Sequence, residues 1–145
     1  IIRNISAGSF AKRYGVEEGI VFEQPTIEFS YKNDELGDPL MNSYHALALK
    51  LATQEEIDTI KAYSFKINEV LKAFLLQHGI ELVDFKLEFG KLADGTIVLA
   101  DEISPDTCRF WDVETHEKLD KDRFRRDMGG VEDAYQEVMR RIIGE

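Results

Sequence analysis

Glu88 and Asp101 are two carboxylates that strand geometry sets face to face, and two acids held together call for a cation. The run Leu82-Val83-Asp84-Phe85-Lys86-Leu87-Glu88-Phe89-Gly90 alternates strictly. In a strand this places Val83, Phe85, Leu87 and Phe89 on one side and Asp84, Lys86 and Glu88 on the other. A second apolar run, Thr96 to Ala100, follows Ala93-Asp94-Gly95, and Asp-Gly is a favoured centre for a two-residue hairpin turn. With Asp94 and Gly95 as that centre, Ala93 pairs with Thr96 and, counting back, Glu88 pairs with Asp101. Opposed carboxylates repel unless a cation sits between them. A hard ion such as Mg2+ is held by one or two carboxylates plus substrate phosphates, and Lys86, one step away on the same face, is placed to meet a phosphate. The spacing therefore predicts a nucleotide–metal site. A solvated strand face is the competing reading of Asp84, Lys86 and Glu88. Asp101 weighs against it, because a merely solvated face would more naturally set a lysine opposite Glu88. The same register turns Glu102 toward the apolar side, which predicts a bulge or strand end near Asp101.

Three further groups carry polar chemistry. Arg3-Asn4-Ile5-Ser6-Ala7-Gly8-Ser9 ends at a predicted helix start, where free N–H groups and the helix dipole favour an anion. Gly8 lets the backbone approach a phosphate, Ser9 adds a hydroxyl and Arg3 could clamp in bidentate fashion; a plain N-cap is the alternative. Asp101 to Asp112 reads as a polar loop leaving the hairpin. In it, Arg109 beside Phe110 and Trp111 is either an anion clamp or a structural arginine paired with Asp106 or Asp112. Cys108 reads as a bystander, since no histidine lies near it in sequence. Lys32, Asp34 and Asp38 are candidates for nucleotide or substrate, against a solvated turn at Asp38-Pro39.

The elements that must position these residues follow from period and punctuation. Ile1 to Ile5 reads as a strand and Ser9 to Tyr14 as a short helix closed by Gly15. Residues 20 to 31 read as strands broken at Pro25, and Lys32 to Asn42 as a polar loop. Thr53-Gln54-Glu55-Glu56 is a capping box; behind it Ile57, Ile60, Ile67, Leu71, Phe74 and Leu75 recur at helical spacing until Gly79. Gly129-Gly130 precede a last helix with Val131, Ala134, Tyr135, Val138 and Ile142 on one face.

The chain has 145 residues, 43% of them hydrophobic, enough for one domain with a sizeable core. A net charge of −10 argues against nucleic acid or an anionic membrane as partner. No segment is apolar and long enough to span a bilayer. One cysteine excludes an internal disulfide and suits a reducing cytoplasm. The three histidines, at 45, 78 and 116, show no zinc spacing. Ile1-Ile2-Arg3-Asn4 has no initiator methionine and reads as strand interior, so the chain is expected to be part of a longer protein.

Four spaced segments resemble one family. Arg3-x-x-x-Ala7-Gly8-Ser9 and Val83-Asp84-Phe85-Lys86-Leu87-Glu88-Phe89-Gly90 are similar to the signatures of the SAICAR synthetases. Asp101 to Asp106 with Arg109-Phe110-Trp111-Asp112, and then Asp120-Lys121-Asp122-Arg123-Phe124-Arg125, continue the likeness in order. The Lys32 to Asn42 loop resembles the family's Lys-x-Asp…Asp-Pro stretch, with Gly37 where many members have histidine.

The resemblance implies an α+β fold related to protein kinases and ATP-grasp enzymes, an antiparallel sheet with flanking helices. Residues 1–145 would be the carboxy-terminal, ribotide- and Mg-binding lobe with the end of the first lobe, and the amino-terminal ATP lobe would be absent. It also implies an ATP-dependent ligase joining carboxyaminoimidazole ribotide (CAIR) to L-aspartate through an acyl phosphate. Carried over by position, Glu88 and Asp101 would hold Mg2+ at the ATP phosphates, and Lys86 would neutralise the transferring phosphoryl group. Arg3, Ser9 and Arg109 would grip the ribotide phosphate, with Asp106 counted on the substrate side. Asp84 would orient the reacting group and Lys32 would touch the nucleotide. The implied partners are small molecules, with a homo-oligomer allowed. Two rivals stay open: a small-molecule kinase sharing the Asp84-x-Lys86 motif, and a non-catalytic fragment of the ligase.

Overall fold

Buried along its whole length, β1 (Ile2–Ile5) is the strand from which the first basic side chain projects. The computed structural model describes residues 1–144. After β1 comes α1 (Gly8–Tyr14), ended by Gly15 in the left-handed conformation, as its sequence predicts. β2 (Val21–Ile27) pairs antiparallel with β1, with a bulge between the Arg3–Thr26 and Ile5–Val21 pairs. It runs through Pro25, where the sequence predicted a break. β2 is an edge strand, and an edge strand can do without one N–H.

The predicted loop from Lys32 to Asn42 is partly ordered. β3 (Phe29–Ser30) pairs with β4 (Leu40–Met41) around a 3-10 turn at Asp34–Leu36. α2 (Ser43–Ala48) was not anticipated; Asn42 and His45 cap it reciprocally. α3 (Gln54–Leu76) carries the predicted Thr53–Glu56 capping box. Its inner face buries Ile57 and Leu75, with Phe65, Ile67 and Leu71 packed against the core. That face also buries polar Asn68, whose amide exchanges two hydrogen bonds with Asn4 of β1, at 2.8 and 2.9 Å. Phe74 stays largely exposed instead, against the His78 ring.

β5 (Ile80–Phe85) is interior in a four-stranded antiparallel sheet of order β2-β1-β5-β8. All its residues but half-buried Glu81 are buried, on both faces. The alternation read from sequence fails here. A bulge against β8 between Leu82 and Asp84 separates Val83, which packs with Ile5, Ala7 and Trp111, from Leu82 and Phe85 of the main core.

The strand also stops at Phe85, and β6 (Phe89–Lys91) leaves to pair with β7 (Ile97–Leu99) as a separate ribbon. The ribbon's register is one residue off the predicted one: Phe89 faces Leu99, and Ala100 N–H donates to the Glu88 carbonyl at 2.8 Å. Glu88 is therefore not paired with Asp101. The loop holds three residues rather than two. Gly95 N–H closes a turn on the Leu92 carbonyl, and Gly95 then takes the left-handed conformation of a bulged turn.

The segment expected as loop up to Asp112 ends in β8 (Cys108–Asp112), paired with β5. α4 (Asp122–Arg125) and α5 (Val131–Ile143) complete the chain. Ala134 and Val138 of α5 enter the core, and Arg141 ties the helix to Asp112 (2.7 Å) and the Gly79 carbonyl (2.9 Å). No helix among the described residues is long and apolar enough to cross a membrane.

Candidate functional site

Three neighbouring strands put a charged row across the sheet. Arg3 on β1 lies opposite Asp84 on β5, and Asp84 lies opposite Arg109 on β8. The Arg3 Nη1 donates to Asp84 Oδ2 at 2.9 Å; the Arg109 Nη1 donates to the two Asp84 oxygens at 3.1 and 3.0 Å. The β5 bulge is what turns Asp84 into this row. Asp84 is buried, and burial lifts its pKa against the pull of Arg109 and Arg3. For Arg109, burial opposes the charge, yet Asp84 and Asp122 outweigh it and hold the guanidinium above its ordinary value.

The predicted clamps are thus pre-engaged. Arg3 also donates to Glu28 (Nε, 3.0 Å) and to the Ser9 hydroxyl (Nη2, 3.0 Å). Arg109 does not pair with Asp106 or Asp112; its Nε donates to Asp122 at 2.7 Å. The α1 start is not the open anion seat expected, since the Gly8 N–H donates to the Glu18 carboxylate at 3.2 Å. Arg126 pairs with the same carboxylate. Gly8 nevertheless has a clear reason to be glycine. Its φ is +52°, and a Cβ there would stand 2.3 Å from Arg109 Nη2.

Arg3, Ser9, Asp84, Lys86, Asp106, Arg109 and Arg125 line a cavity of about 230 Å³. Four cationic side chains against two carboxylates make it a place for an anion. Asp106 lines this cavity, and its carboxylate accepts the Tyr135 hydroxyl from α5 at 2.5 Å. Cys108 also borders the cavity, but burial pushes its thiol up to about 11, which leaves it protonated and unreactive at neutral pH.

A larger recess of about 760 Å³ shares Arg3, Ser9 and Lys86 with this cavity and adds Lys32, Glu88 and Phe29. At its edge Glu88, which lines the recess, and Asp101, which does not, share one lysine despite the shifted register. The Lys86 ammonium is 3.1 Å from Glu88 and 3.9 Å from Asp101, and the Lys32 ammonium is 2.8 Å from the other Glu88 oxygen. Lys32 and Lys86 hold Glu88 below the ordinary carboxylate value. The cation between the carboxylates is a lysine. Among the described residues no three His, Cys, Asp or Glu side chains gather closely enough to hold a metal by themselves. Asp34 lies within the 3-10 turn. Asp38 accepts the Asn33 N–H at 2.8 Å and shapes the loop.

Sequence reasoning assigned no individual role to Glu28, Asp122 or Arg125, the last noted only as part of a basic cluster from Lys121 to Arg126 that could form a local anion site. Glu28 carried no signal, since it meets Arg3 only through strand pairing. Asp122 and Arg125 did, being an acid and a base three residues apart, a spacing at which helical side chains meet; they pair at 2.9 Å.

The fold is thus an antiparallel α+β domain with a cation-rich cavity beside a lysine-bridged carboxylate pair. The chain belongs to the SAICAR synthetase family, whose model matches residues 1–142. The phosphoribosylaminoimidazole-succinocarboxamide synthase of Coprothermobacter proteolyticus is 65% identical over 142 residues, covering 98% of this chain and 60% of the relative. A SAICAR synthetase solved in complex with ADP superposes with a TM-score of 0.95 at 54% identity, covering 99% of this chain and 61% of that one. The SAICAR synthetase of Pyrococcus horikoshii OT3 gives 0.93, also at 54% identity, covering 99% and 63%. The chain spans about 60% of the length of the curated relatives it matches.

Proposed function

We propose that the chain is the ribotide-binding part of an ATP-dependent carbon–nitrogen ligase that joins CAIR to L-aspartate in purine biosynthesis. One observation carries this reading: the anion cavity and the Glu88–Asp101 group share Lys86. A ribotide phosphate held in the first would present its other end to a phosphoryl group neutralised in the second.

A carboxylate is a poor acyl donor, so its oxygen first attacks the γ-phosphorus of ATP and ADP leaves. The aspartate amine then attacks the acyl carbon, phosphate departs and the amine loses a proton. Lys86 and Lys32 offset the charge of the transferring phosphoryl group and nucleotide. Arg109, Arg3 and Ser9 hold the ribotide phosphate, with Asp84 keeping both guanidiniums aimed, and Asp106 completes the substrate wall. Two hard carboxylates beside phosphate oxygens fit Mg2+, which Glu88 and Asp101 would hold in exchange for the Lys86 contact. When bound, Mg2+ would supply further neutralisation of the phosphate charge. The net charge of −10 supports small-molecule partners rather than nucleic acid, and the single cysteine supports a cytoplasmic setting.

The test is product formation in a protein of the relatives' full length carrying these residues. Succinocarboxamide ribotide should form only with ATP, CAIR and L-aspartate together, and Glu88→Gln should lower kcat by about 100-fold or more with the fold intact. ADP release at the same rate without aspartate would mark a kinase and overturn the ligase. The 145-residue chain alone is expected to bind ribotide without turnover.

A further inference from the structure

Asp122 is buried and uses both carboxylate oxygens on arginines that line one cavity. Its Oδ2 accepts from Arg109 Nε at 2.7 Å and its Oδ1 from Arg125 Nη1 at 2.9 Å. These bonds outweigh burial and hold Asp122 below the ordinary carboxylate value. Asp122 is itself fixed: its N–H donates to Asp120 Oδ1 at 2.8 Å, and Asp120 Oδ2 accepts the Phe110 N–H of β8 at 2.9 Å. Arg109 is thus held by its Nε and Nη1, and its Nη2 lies against the bare backbone of Gly8. Nη2 is the edge of that guanidinium with no hydrogen-bond partner among the described residues. Arg125 is more exposed, and apart from Asp122 its guanidinium has a longer contact to the Asp106 carbonyl, at 3.4 Å.

We infer that Asp122 is a positioning residue that sets Arg109 and Arg125 as a paired grip on the substrate's 5′-phosphate, so that it governs preference for a ribotide over the corresponding riboside. The inference rests on the ribotide reading above. It adds Arg125 to the phosphate grip and makes α4 the element that aims it. Without the Asp122 charge Arg109 keeps only its Asp84 bonds and Arg125 only its longer Asp106 contact, and the order both guanidiniums lose is order that phosphate must then supply.

The probes are aminoimidazole carboxamide ribotide and the same compound lacking its phosphate, titrated calorimetrically into the chain. The wild type should bind the ribotide at least about tenfold more tightly, and Asp122→Asn should remove about tenfold of that preference, leaving riboside affinity unchanged. A merely structural role would weaken both probes together, or lower the melting temperature without altering their ratio, and either result overturns the inference. Full retention of the preference in the variant would also overturn it while leaving the ribotide reading standing. A wild type without preference would remove both. Arg125→Gln changes a half-exposed side chain and keeps the test decisive should the Asp122 variant fail to fold. Its ribotide preference should fall by about three- to tenfold, and an unchanged preference would refute the paired grip.

Discussion

Gly8 and Arg109 show how one residue's lack of a side chain serves another's charge. Arg109 is pinned by Asp84 and Asp122, so it cannot swing away from a new Cβ as a free surface arginine would. Gly8→Ala would add a left-handed strain of about 1–2 kcal/mol and force the guanidinium out of its seat. We expect ribotide affinity to fall about tenfold or more in calorimetry while the melting temperature drops by only a few degrees. Sequence inspection singled out Arg3, Gly8 and Ser9 at a helix start and Arg109 beside two aromatics as candidates for holding an anion. It did not find that Asp84 pairs with both arginines, because the Arg3–Asp84 partners lie 81 residues apart.

Elements decide where those residues point. α3 was legible almost to its ends: the Thr53–Glu56 box and the apolar period are local signals, and local hydrogen bonding enforces them. The β5 bulge and the β6–β7 register were not. One residue more in a strand or turn flips every side chain, and no residue type announces it unambiguously. α4 and β8 are joined through Asp120, whose carboxyl burial pushes up to about 6 despite two backbone N–H bonds. A carboxyl raised in the folded state above its unfolded value near 4 stabilises the fold below about pH 4, and that contribution is lost as pH rises through about 6. Asp120→Asn cannot titrate and should flatten this component, worth about 1–3 kcal/mol, at the separate cost of one backbone acceptor. Urea unfolding of both proteins from pH 4 to 7 would show it; parallel curves would refute the assignment.

Across the whole molecule, one core joins β1, α3, β5, β8 and α5 under the charged row. Ile2, Leu75, Ile80, Phe85, Phe110 and Val138 belong to a single buried cluster. Leu75→Ala leaves a cavity there and should cost about 2–5 kcal/mol in denaturant unfolding. Leu75 lines neither cavity, so the ribotide-to-riboside preference should survive at temperatures where the variant is folded. The α3 span with its cap, the apolar faces of α3 and α5, and the inventory of charged groups were set by the sequence alone, since each depends on neighbours within a turn or two. The family resemblance was likewise readable, because it rests on ordered residue types. Tertiary structure alone decided which charges meet. It made Lys86 the cation between Glu88 and Asp101, put Asp84 between two arginines, and gave Asp122 its pair. Those contacts cross strands and loops whose register is set by packing of the whole core, and no local rule reaches that far.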